Sequence, residues 1–200
     1  MNGLRAADAP VTVIDFETTG VVPGYPEEPW QIGFAALERG RLVAERRLEL
    51  LLGVGRRPFN PCAPGRHAQV REALAEARPL QELWPELRPW VEGRVLCAHG
   101  ASTEKRLLRK AFPLHRAGPW LDTLKLCRLA CPAAPSYRLE DLLAHLGLRA
   151  RADALCPGLE PHDALYDAVG CGLLLEHLLG LEAWKDIPLE TLIHARRAGG

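Results

Sequence analysis

The sequence predicts an α/β domain built on a mixed sheet, and three observations carry that expectation. An antiparallel hairpin stands early in the chain, short apolar strands alternate with helical patterns later, and 200 residues suit one compact domain. The reading divides the chain into an N-terminal extension, residues 1–10, and a single domain, residues 11–200.

The first strand is 11–16 (VTVIDF), a run of β-branched and apolar residues. Pro, Gly and acidic residues then mark a loop at 20–29. Strands at 30–38 and 41–51 flank Arg39-Gly40, where glycine supplies a hairpin turn. Glycines and prolines make 53–66 an irregular connection. Helical patterns follow at 67–76 and 79–91, the latter interrupted by Pro79, Pro85 and Pro89. A short strand is expected at 94–98, an amphipathic helix at 101–112 ended by Pro113, and another strand at 119–122. Helices close the chain at 123–131, 138–146, 163–179 and 188–197. No internal repeat or low-complexity tract occurs.

Composition excludes several classes. No run of about 18 apolar residues exists to span a bilayer, and the N-terminus lacks the apolar core of a secretory signal, so a cytoplasmic location is expected. The charges balance, 25 basic against 25 acidic. This argues against a long duplex interface held by bulk attraction, but not against an enzyme gripping a few nucleotides. The six cysteines contain no CxxC pair. Cys127 and Cys131, one helical turn apart, read as small buried hydrophobes rather than zinc ligands.

Two groups of acids bear chemistry. Asp15 and Glu17 alternate along the first strand and so share one face, beyond Val11 and Val13. Two adjacent carboxylates repel, and a hard divalent cation between them removes the repulsion. The same pattern is compatible with two hydrated acids at a fraying strand end. In the second group, Pro161 opens a helix, Asp163 caps it and Asp167 lies a turn in. His162 and Asp167 are five apart, roughly 140° round a helix, and share a site only if His162 precedes the helix, on mobile backbone. Read without the rest, this segment is also an ordinary helix start.

Together these residues resemble the DEDDh group of 3′→5′ exonucleases, which contains the proofreading epsilon subunit of bacterial DNA polymerase III. Asp15-Phe16-Glu17-Thr18-Thr19-Gly20 resembles the first motif of that family, and His162 with Asp167 matches the third. Leu96-Cys97-Ala98-His99-Gly100-Ala101-Ser102-Thr103-Glu104 resembles the second, usually valine-alanine-histidine-asparagine-alanine-any-phenylalanine-aspartate. Weaker matches stand in order: Gln31-Ile32-Gly33 in the second strand, Asn60-Pro61 at the close of the third, Asp122-Thr123 ending the fifth, and Tyr137-Arg138-Leu139 opening a helix. The resemblance runs from about 11 to 179. Three departures fall in the second motif. Glu104 replaces aspartate, moving the carboxylate by roughly 1–1.5 Å. Gly100 replaces asparagine and Thr103 replaces phenylalanine, which implies an altered strand path and substrate preference.

The resemblance implies a ribonuclease-H-like five-stranded sheet, strands 1–3 antiparallel and then two parallel strands, flanked by helices. It implies two divalent cations, Mg²⁺ or Mn²⁺, held by Asp15, Glu17, Glu104 and Asp167, with His162 as the base that deprotonates the attacking water. Backbone at Phe16 and Thr18, with Glu17 near the 3′-hydroxyl, would cradle the terminal nucleotide of a single-stranded or 3′-frayed nucleic acid, DNA favoured. The product would be a 5′-nucleoside monophosphate. His99 and Asp122 are expected to be structural, and Tyr25 and Trp30 to be packing residues or base-stacking ones.

Three other readings stay open: a catalytically impaired nucleic-acid-binding module of the same fold, an RNA-trimming exonuclease, and a polymerase-bound proofreading subunit. Only 33 residues follow Asp167, which leaves no evident polymerase-docking tail.

Overall fold

A computed structural model describes residues 3–195. Five strands form one mixed sheet: β1 (Val11–Thr18), β2 (Pro29–Glu38), β3 (Arg41–Leu51), β4 (Val95–Ala98) and β5 (Trp120–Asp122), in spatial order β3-β2-β1-β4-β5. β1, β2 and β3 pair antiparallel, while β4 lies parallel to β1 and β5 parallel to β4. This is the topology implied by the family resemblance. Arg39 (φ 51°) and Gly40 (φ 69°) make the two-residue hairpin turn, both in the left-handed region that a right-twisted ribbon requires.

Among the described residues, eight α-helices flank the sheet: α1 (Arg71–Glu76), α2 (Trp84–Val91), α3 (Ser102–Ala111), α4 (Thr123–Ala130), α5 (Leu139–His145), α6 (Arg149–Leu155), α7 (Ala164–Leu179) and α8 (Leu189–Ile193). Alternation along β1 divides the core. Val11 and Val13 belong to the cluster beneath α4, α5 and α7. Ile14 and Phe16 belong to the one beneath α2 and α3. α7 is apolar nearly all round and is buried across β1, β2 and β3, as expected of a central helix.

The elements differ from expectation in three places, and a fourth expected boundary falls beyond the described residues. The first helix begins at 71 rather than 67. The segment 79–91 is a 3₁₀ turn, Leu80–Glu82, followed by α2, because prolines deny backbone donors to a continuous helix. The expected end of α8 at 196–197 lies outside the described residues. α6 was not expected at all: RARADAL carries little apolar periodicity, and Ala152 is its buried residue. Polar contacts made across the fold hold it instead. Arg151 pairs with Glu176 of α7 at 2.7 Å, and Tyr166 of α7 donates to Asp153 at 2.7 Å.

The segment before β1 is tied to the far end of the chain. The Ala6 N–H donates to the Ile187 carbonyl and the Leu189 N–H to that of Leu4, both at 2.9 Å.

Candidate active site

β1 is the central strand, and its C-terminal end carries Asp15 and Glu17 on the face that α7 covers. Their partners across the β1–β2 ladder are Gly33 and Gln31. A Cβ built on Gly33 would lie 2.1 Å from the carbonyl oxygen of Ala164, so the first turn of α7 rests directly on the glycine backbone. That contact sets the height of Asp167, one turn further along.

Polar anchors fix the start of α7. Asp163 caps the helix, accepting from the Leu165 N–H at 3.3 Å, and Gln31 Oε1 accepts from the Ala164 N–H at 3.1 Å. Gln31 Nε2 donates to Glu49 at 2.7 Å, and Arg66 bridges Glu49 (2.5 Å) and Asp163 (2.6 Å). Arg66 had no signal in the sequence, since its partner Asp163 lies 97 positions away.

His162 lies just before the helix, exposed, with φ 69° in the left-handed region that non-glycine residues seldom adopt. Its N–H donates to Asp167 Oδ2 at 3.2 Å. The carboxylate in the first turn of α7 captures the free donor beside it. Clefts of about 330 Å³ and about 70 Å³ open on either side of His162. Gly65 passes overhead, with its notional Cβ 2.7 Å from the His162 carbonyl oxygen and 3.8 Å from Glu17 Oε2.

One ligand atom from each of Glu17, His162 and Asp167 lies within 4.8 Å of the other two. Asp15 and Glu104 fall outside that group but face it electrostatically. Burial, then Asp167, Glu104 and Glu17, push the Asp15 carboxyl well above the usual carboxylate range. Burial, then Asp167, Asp163 and Glu104, push Glu17 up to about 9. Asp167 is raised to about 7, chiefly by burial, with the His162 N–H opposing. Glu104, in the first turn of α3, is likewise raised to about 7 by burial. These acids resist ionisation unless a cation shares the space.

The donor set fits hard divalent cations. It is dominated by carboxylate oxygen, and the buried Glu104 Oε2 accepts no hydrogen bond. Among the described residues, no arginine or lysine ion pair reaches Asp15, Glu17, Glu104 or Asp167. Arg66, beside the site, is committed to Glu49 and Asp163.

Several of the remaining candidates make contacts within the fold. The Phe16 side chain is buried beneath α3. Thr18 donates to Glu27 at 2.8 Å. His99 bonds both Thr123 Oγ1 (3.0 Å) and the Tyr137 carbonyl (2.9 Å), and burial lowers its pKa. The neutral ring therefore donates from Nε2 and accepts at Nδ1. Asp122 caps α4 and accepts from the Gly100 N–H at 3.0 Å. Trp30 is fully buried against Phe59 and His67, so it packs rather than stacks on bases, while Tyr25 is exposed. Asn60 does not close β3, which ends at Leu51. It clamps the loop after β1 instead, donating to the carbonyls of Thr19 (2.8 Å) and Val21 (2.9 Å).

Comparison with known proteins bears on the family and the fold. Residues 12–172 match the RNase T family model, described as an exonuclease. The chain is 29% identical over 193 residues to the DNA polymerase III subunit epsilon-like protein of Rhodobacter capsulatus, covering 92% of this chain and 26% of that protein. It is 27% identical over 195 residues to the 3'-5' exonuclease DinG of Bacillus subtilis, covering 92% and 19%. The chain thus spans about a quarter or less of the length of these curated relatives. Among solved structures it resembles exonuclease X in complex with 5′ overhanging duplex DNA (TM-score 0.68, 25% identity, 92% of this chain and 97% of that chain). The Mg²⁺- and Mn²⁺-bound form of S. pombe Pop2p shares the fold (TM-score 0.66, 13% identity, 93% and 89% coverage). The family match spans most of the sheet and its helices, and the chain belongs to the RNase T exonuclease family.

Proposed function

We propose that the chain is a 3′→5′ exonuclease that removes 5′-nucleoside monophosphates from the 3′ end of single-stranded or frayed nucleic acid, with DNA favoured. The observation that carries this reading is the set of mutually repelling, unpaired carboxylates at the end of β1, with His162 beside them. The names of the relatives and the DNA bound to exonuclease X favour the polarity and the substrate.

Asp15, Glu17, Glu104 and Asp167 would hold two divalent cations. Such a pair, when bound, orients the attacking water and stabilises the leaving oxygen of an in-line displacement. His162 accepts the proton from that water at a ring nitrogen as the new P–O bond forms. The bond to the 3′-oxygen of the penultimate nucleotide breaks, and that oxygen takes up a proton. The pinned backbone of His162 keeps its ring near Asp167 and Glu17. Backbone at Phe16 and Thr18 lines the terminal nucleotide, with Glu17 near its 3′-hydroxyl. The Gly65 segment roofs this pocket, which favours a chain end over a continuous strand.

Time courses on matched 5′- and 3′-labelled DNA and RNA strands, with Mg²⁺, Mn²⁺ or chelator, test the proposal. The expected result is a descending ladder from the 5′ label, immediate mononucleotide from the 3′ label, and no reaction with chelator. Internal cuts, or intact strands in both metals, would overturn it. Faster loss of RNA than DNA would identify the RNA-trimming reading.

A further inference from the structure

α3 carries four basic residues, and they divide by face. Arg106 pairs with Glu27, and Lys110 with Glu28, so that pair is neutralised by the loop after β1. Lys105 and Arg109 point the other way, one turn apart, and neither forms an ion pair among the described residues. They border a groove of about 590 Å³ that also receives His115, Arg116 and Trp120, and no carboxylate lines it. The groove therefore concentrates three permanent positive charges in a protein whose net charge is zero.

Its remaining chemistry is that of a strand binder. The indole N–H of Trp120 is already donated to the Ala117 carbonyl at 2.9 Å, and the half-buried ring borders the groove. The Lys105 ammonium sits 5.4 Å from that ring centre. His115 stacks on Trp84 at 3.9 Å, adding a second aromatic wall. The groove begins at the residue after Glu104, Lys105, and Arg109 lies roughly 6 Å further along the helix axis. The groove thus runs along α3 from Lys105, the neighbour of Glu104 in sequence.

We propose that this groove is a second anchor for a polynucleotide, taking the phosphates and a base of a segment several nucleotides from the reacting 3′ end. The inference rests on the exonuclease reading. The anchor adds affinity and salt sensitivity without touching the scissile bond. Both a single-stranded tail and the complementary strand of a recessed duplex present the same phosphates.

The test uses Arg109→Ala/Arg116→Ala, since both side chains are exposed and distant from the carboxylates; Lys105 is left in place because it adjoins Glu104. Binding of a fluorescent single-stranded 20-mer, and of a recessed duplex, is followed by anisotropy in chelator across a salt series. The variant should bind one or both about tenfold more weakly at low salt, with a log-affinity slope shallower by about 1.4 for a single strand. The arm that loses more identifies the strand held. Release of mononucleotide from a trinucleotide should be unchanged in the variant, and Arg109→Lys/Arg116→Lys should restore binding. Parent-like affinity and salt slope on both probes would overturn the anchor. Loss of trinucleotide cleavage with binding intact would also overturn it. A parent that binds but cleaves neither length would instead sink the exonuclease reading.

Discussion

Gly33 and Ala164 meet with no room for a side chain: a Cβ on the glycine would lie 2.1 Å from the Ala164 carbonyl oxygen. Because Gly33 is also the ladder partner of Asp15, this one contact sets how closely α7 brings Asp167 to β1. Gly33→Ala must push α7 outward, and a shift near 1 Å costs about a hundredfold in rate where reacting groups are held in position. The expected outcome is that loss of turnover, together with destabilisation of about 1–3 kcal/mol from overpacking. Kinetics and chemical denaturation of the same preparation check both. Unchanged activity would show that the height of α7 does not matter.

Neutralising a carboxylate should separate stability from activity. In Asp15→Asn or Asp167→Asn, a buried repulsion is removed from the metal-free protein. Thermal melts in chelator should therefore give a higher Tm than the parent, while nuclease activity disappears. A lower Tm would mean that the acids stabilise the fold instead.

The extra methylene of Glu104 gives a graded test. Glu104→Asp should keep or raise activity, and Glu104→Ala should lower it by orders of magnitude, because the buried and unpaired Oε2 has no other evident role. Equal rates for Glu104→Ala and the parent would remove Glu104 from the site.

His162→Asn keeps a side chain that tolerates the left-handed backbone but lacks the base. Its rate should fall by about 10²–10⁴-fold with the melting curve unchanged. Parent-like turnover would assign proton transfer elsewhere.

The pH dependence follows from the direction of the shifts. Glu17 titrates at about 9 in the folded chain against 4.5 for an unhindered glutamate, and Glu104 and Asp167 at about 7. A raised carboxyl binds its proton more tightly in the native state. Its contribution is complete below pH 4.5 and is lost as pH climbs toward 9. Metal-free protein should therefore lose Tm steadily across that window, and saturating Mg²⁺ should reverse the loss, increasingly so at higher pH. Melts in chelator that are flat with pH would contradict this.

Much of the site was legible in the sequence because its residues cluster in short motifs. Period-two alternation put Asp15 and Glu17 on one face, and Pro161 with Asp163 announced the start of α7. Structural roles for His99 and Asp122 were also readable from the motif they occupy. What escaped depends on long-range polar contacts. Arg66 finds Asp163 and Glu49 from distant segments, and α6 is held by Arg151–Glu176 and Tyr166–Asp153 rather than by an apolar stripe. The tether from the His162 N–H to Asp167 was missed because a residue before a helix reads as free until the carboxylate that captures its donor is placed.

Bound Mn²⁺, counted by electron paramagnetic resonance at a pH near 8, reports whether the carboxylates hold a metal pair. Two ions per chain are expected in the parent, with binding lost in Asp15→Asn. A parent that leaves all its Mn²⁺ free in solution would contradict it.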